Sequence, residues 1–96
     1  MPAYVMCDIT VTDPEAYEDY KPLAAGAVKQ YGGRYLARGG RRETLEGDWE
    51  PQRVVLLEFP DLEAAKRFYA SSEYGEARRA RHGAASARII VVEGAC

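Results

Sequence analysis

Apolar positions alternate with others through residues 3–11, AYVMCDITV, a run rich in β-branched and aromatic side chains that predicts a strand. TDPE follows, with Asp13 as N-cap, Pro14 at the first helical position and Glu15 at the positive end of the helix dipole. The spacing of Tyr17, Tyr20, Ala24, Val28 and Tyr31 predicts a helix to about Tyr31, kinked at Pro22, which lacks a donor and crowds the carbonyl of Glu18. Gly32 and Gly33 end it, since glycine enters the left-handed cap conformation without a Cβ penalty.

A second strand is predicted from Arg34 to about Leu45, with a bulge or a close backbone approach at Gly39 and Gly40. EGDWEP reads as a turn and RVVLLEF, residues 53–59, as a third strand. Asp61 caps a second helix that turns Leu62, Ala65, Phe68 and Tyr69 inward, and Ser71 and Ser72 break it before a last helical stretch to Arg81. RIIVVE, residues 88–93, is the fourth strand. The order βαββαβ in one domain, residues 1–96, is the ferredoxin-like α+β plan, a four-stranded antiparallel sheet in strand order 4-1-3-2 with helices on one side.

A sheet covered on one side should show one apolar and one wet face. Here both faces are apolar. Val5, Cys7, Ile9, Val55, Leu57 and Phe59 are assigned to the helices, which leaves Met6, Leu36, Val54, Leu56, Ile89 and Val91 on the second face. A patch of that size calls for a cover, and the simplest is a second copy about a two-fold axis. At 96 residues the chain buries only about 60% of its extended surface by folding alone, so a partner subunit helps. Trp49, at the hairpin tip, reads as a ring that covers the partner.

The charges on that second face carry the candidate chemistry. A hairpin symmetric about Asp48 sets Arg38 opposite Glu58, and with strands one and three taken as parallel neighbours Asp8 and Glu58 lie at the same end. Asp8, Glu58 and Arg38 are therefore expected to cluster. Either the two carboxylates share a site in which one serves as general acid or base, or the three form a structural ion-pair group. Tyr69, Ser72 and Tyr74 place hydroxyls around the helix break near a cavity mouth, and Arg81 is expected to turn inward because its helix leads straight back to strand four.

Composition narrows the function classes. The chain is 47% apolar and 29% charged with net charge −2, a globular balance with no basic field for a nucleic acid backbone. No apolar run is long enough to cross a bilayer and no signal segment is read, so a cytoplasmic chain without membrane partners is expected. Cys7 and Cys96 have no CxxC spacing; Cys7 reads as a core residue and Cys96 as a free terminal thiol. Gly39 and Gly40 match no phosphate-binding loop, and the lone His82 lacks metal-ligand company, so neither metal nor cofactor is expected.

With GGRYLARGG, LEGDWEPQRVVLLEFPD, FYASSEY and IIVVEG in hand, the chain resembles domain-of-unknown-function family 1330 over essentially its whole length. The resemblance implies a ferredoxin-like fold that pairs as a homodimer into an α+β barrel. It marks as pocket or signature positions Arg38 with Gly39, Glu58 with Phe59, Tyr69, Ser72, Tyr74 and Arg81. It supplies no reaction, although relatives of the barrel include cofactor-free monooxygenases, lactone isomerases and haem-degrading enzymes. The reading is a homodimeric small-molecule-binding protein. Arg38, Gly39, Tyr69, Ser72, Tyr74 and Arg81 bind the ligand, Glu58 or Asp8 moves a proton, and an isomerase, lyase or oxygenase acts without a cofactor on a small carboxylate or carbonyl compound. The alternative is a non-catalytic module whose charges only fix the dimer.

Overall fold

The computed structural model describes residues 1–95. The free thiol expected at Cys96 lies outside them. In chain order the elements are β1 (Ala3–Val11), α1 (Pro14–Tyr17), α2 (Tyr20–Gln30), β2 (Arg34–Arg38), β3 (Arg53–Phe59), α3 (Leu62–Ala70), α4 (Ser72–Arg81) and β4 (Ala85–Glu93). The sheet order is β2-β3-β1-β4 and every pair is antiparallel, the ferredoxin-like α+β arrangement. Among the described residues no helix is long and apolar enough to cross a membrane.

The first helix is split rather than kinked. Asp13 caps α1 by accepting from the Ala16 amide at 3.2 Å, and Glu18 and Asp19 separate α1 from α2. Pro22 thereby falls in the first turn of α2, where an amide has no helical partner to lose and the proline ring is harmless. Gly32, at φ +82°, ends α2 as expected. Asp61 caps α3 through the Ala64 amide at 2.7 Å. At the break it is Ser71 that caps α4, accepting from the Tyr74 amide at 3.1 Å while its hydroxyl donates to the Phe68 carbonyl at 2.6 Å.

β2 is five residues long, not twelve, and residues 39–52 form a loop. The bulge lies earlier than Gly39, between Tyr35 and Ala37: Tyr35 pairs with Leu57 but Ala37 with Leu56, so Leu36 is the extra residue. Such an insertion reverses the face presented by every later residue of the strand.

The core lies between sheet and helices. Val5, Cys7, Ile9, Val55, Leu57 and Phe59 meet Tyr17, Tyr20, Val28, Phe68 and Tyr74 there, all buried. Phe59 and Ile9 are the largest fully enclosed side chains, and truncating either to Ala would cost about 2–5 kcal/mol. On the other face Met6, Val54 and Leu56 are half-buried, while Leu36, Ile90 and Val92 are exposed. The phase expected for strand four is therefore reversed: Ile89 and Val91 pair with Cys7 and Val5 on the helix side, and Ile90 and Val92 pair with Met6 and Tyr4 on the open side. The open face keeps its apolar character with a different pair of β4 residues.

Candidate functional site

The expected grouping of Asp8, Glu58 and Arg38 does not form. β1 and β3 are antiparallel, not parallel, and their register sets Asp8 opposite Val54 but Glu58 opposite Tyr4. Four residues of strand separate the two carboxylates, about 13 Å. Each has its own partner on the open face. Arg34 Nε donates to Glu58 Oε1 at 2.6 Å, and Asp8 Oδ2 accepts from Arg88 Nη2 at 2.6 Å and from Trp49 Nε1 at 3.0 Å. Those two donors hold the Asp8 carboxyl below the usual carboxylate range. Trp49 thus covers a carboxylate of its own sheet.

Arg38 is on the opposite side. The bulge at Leu36 pairs it with Val55 rather than Glu58, so it joins Tyr35 on the helix side with its guanidinium 4.4 Å from the Tyr35 ring centre. It lines a cavity between the sheet and the helices α1 to α4, together with Arg53, Tyr17, Tyr20, Tyr35 and Tyr74. The cavity volume is about 30 Å³, room for about two waters.

Tyrosine and arginine set the chemistry of this space. The Tyr20 and Tyr74 hydroxyls meet at 2.8 Å, buried. Burial pushes both phenols, and that of Tyr35, above the ordinary range, so all three stay protonated at neutral pH. Cys7, on the cavity floor, is raised to about 11 by burial, against the opposing pull of Arg81. Arg53 lies 5.7 Å from the centre of the Tyr17 ring and Arg81 5.5 Å from that of Tyr20. The Nε atoms of both are buried without a hydrogen-bond partner, and among the described residues none of Arg38, Arg53 and Arg81 pairs with a carboxylate. Among the described residues no Asp or Glu lines the cavity. A pocket lined by the cations Arg38, Arg53 and Lys21 and by neutral hydroxyls favours an anion or a polarised oxygen.

Gly39 bears on the wall through Arg53. It takes φ +68°, and a β-carbon there would collide with the Arg53 guanidinium, so the missing side chain makes room for that arginine. Tyr69 stands at the rim, 40% exposed, with the Arg78 guanidinium 4.8 Å from its ring centre. Ser72 is exposed and its hydroxyl approaches only Glu73, at 3.4 Å. His82 is exposed at the end of α4.

The structure therefore sets Arg38, Tyr69 and Tyr74 on one cavity, with Gly39 against Arg53 and Arg81 beside Tyr20, and leaves Asp8, Glu58 and Ser72 outside it. Arg53, Tyr17, Tyr20 and Tyr35 were missing from the expected set. Arg53 was detectable, because it stands two residues before Val55 in phase with Leu57 and Phe59, an arginine on an otherwise apolar strand face.

Among curated proteins none matches the sequence. The fold is similar to that of a protein of unknown function from Rhodopseudomonas palustris (TM-score 0.77, 21% identity, covering 99% of this chain and 83% of that one). It is also similar to SnoaB, a cofactor-independent oxygenase from Streptomyces nogalater (TM-score 0.67, 13% identity, 99% and 94% covered). A third similar structure is a dimeric ferredoxin-like protein of unknown function from Jannaschia sp. CCS1 (TM-score 0.70, 11% identity, 98% and 100% covered). These likenesses establish the fold. The model of the family described as Domain of unknown function (DUF1330) matches residues 2–95, and the chain belongs to that family.

Proposed function

We propose that the helix-side cavity receives the anionic oxygens of a small organic acid, a carboxylate or an ionised enol or phenol. The observation that carries this reading is Arg53, a cavity-lining guanidinium whose Nε is buried without a partner. An unsatisfied buried donor costs about 1–3 kcal/mol, and a ligand oxygen on Arg53 and Arg38 would recover it. The Tyr20 and Tyr74 hydroxyls, held neutral by burial, add a donor for the same oxygen, and the rings of Tyr17 and Tyr35 supply flat walls. Burial of the phenols and of the Cys7 thiol leaves no base in the cavity at neutral pH, so the ligand arrives as an acid that ionises readily.

Cations aimed at such an oxygen also stabilise an enolate or phenolate, the electron-rich species from which cofactor-free isomerisation or oxygenation starts. The fold shared with a cofactor-independent oxygenase is in keeping with this, as analogy only. Asp8 and Glu58, each paired on the open face, act in this reading at the seam of a homodimer formed by two open faces. The exposed Leu36, Ile90 and Val92 support that pairing, as does the dimeric state of one structural neighbour.

A thermal-shift screen of small carboxylic acids and phenols tests the binding role. Hits should raise Tm in the parent and lose that effect in Arg53→Gln. Equal shifts in both proteins would reject the site.

A further inference from the structure

A second space adjoins the cavity. It is an apolar groove of about 300 Å³ between α3 and the edge strand β4, and among the described residues Lys66 is the one charged residue in its walls. Val5, Phe68, Tyr69 and Ile89 line both spaces. Of these four, Val5 and Phe68 are buried and Ile89 packs against the core, so three are fixed parts of the wall. Tyr69 differs. It is 40% exposed, and its ring is held on the outer side by Arg78 at 4.8 Å and on the inner side by Tyr74 at 5.6 Å. A rim aromatic held by stacking contacts can swing by side-chain rotation alone, without moving helix or sheet.

The two spaces are chemically complementary. The cavity offers arginines and tyrosine hydroxyls but admits only about two waters, whereas the groove has ten times the room and offers almost nothing to hydrogen-bond. A ligand that used the groove alone would leave no reason for the charged floor, and one that used the cavity alone would have to be very small. From this, resting on the anion-binding reading above, we infer that the ligand is an amphiphile. Its acidic head lies against Arg38 and Arg53, and an apolar chain or ring passes Tyr69 into the groove walled by Ala65 and Val91. Tyr69 is then the residue that sets specificity for length. The groove lies on the helix side of β4, where Val91 pairs with Val5; only Ile90 among its walls belongs to the open face, so a second copy seated on that face leaves the groove free for the ligand.

Calorimetric titration of the purified chain with benzoate and its 4-methyl, 4-ethyl, 4-propyl and 4-butyl derivatives tests this. Each methylene transferred from water to an apolar groove should tighten Kd about fourfold. Val91→Asp should flatten that series, with Val91→Thr as the milder variant if the first fails to fold. Benzoate binding that does not improve with chain length overturns the amphiphile and leaves the cavity reading intact. An undiminished length dependence in both Val91 variants places the chain elsewhere and overturns the groove. No binding by any member overturns this inference together with the reading it rests on.

Discussion

Gly39 and Arg53 occupy one another's space: the guanidinium of Arg53 fills the volume that a side chain at Gly39 would take. The glycine is in the left-handed region as well, at φ +68°. Gly39→Ala should therefore lower stability by about 1–2 kcal/mol from backbone strain and also displace Arg53 from the cavity. Urea unfolding reads the first effect and titration with a ligand acid the second. Unchanged affinity in a destabilised variant would detach Gly39 from the site.

The buried hydroxyl pair of Tyr20 and Tyr74 makes a second prediction. Replacing either by Phe strands the other hydroxyl, at a cost of about 1–3 kcal/mol, while replacing both removes the need for a partner. The double variant should be more stable than the sum of the single losses implies, which a double-mutant cycle by denaturant unfolding would measure.

Asp8 links the open face to pH. Its folded pKa is depressed by Arg88 and Trp49, so its contribution to stability is fully present above the ordinary carboxylate pKa and is lost as pH falls through the depressed value. Trp49 is the only tryptophan and donates to the same carboxylate, so its emission should change over that acid range. Asp8→Asn should abolish the transition, and a transition that persists in that variant would mean another group is responsible.

The open apolar face is expected to pair two chains. Leu56→Glu on β3 places a charge in its middle without touching the helix-side core. Sedimentation should give twice the chain mass for the parent and a shift toward the single-chain mass for the variant. A parent that sediments as one chain would remove the seam and the role given there to Asp8 and Glu58.

Much of this was legible in the sequence because periodicity carries it. Val5, Cys7 and Ile9 alternate cleanly, Asp13 and Asp61 announce their helices, and the two apolar faces of β1 and β3 needed no structure to be seen. The errors arose where that signal fails. Four consecutive apolar residues, Ile89 to Val92, give no phase, and only pairing with β1 decides which pair faces the helices. The bulge at Leu36 has no glycine or proline to mark it, yet it carries Arg38 from one face to the other. A parallel reading of β1 and β3 draws Asp8 and Glu58 together, whereas the fold makes the two strands antiparallel. Arg38 and Tyr74 thus line a cavity, with Arg81 beside Tyr20, on the other side of the sheet from both carboxylates.

A crystal structure of the protein with sodium benzoate tests the central claim most directly. The carboxylate should lie within hydrogen-bond distance of Arg53 and Arg38, with the Tyr20–Tyr74 pair alongside and its ring directed past Tyr69 toward the groove. Benzoate beside Asp8 and Arg88 on the open face, or nowhere at saturating concentration, would contradict it.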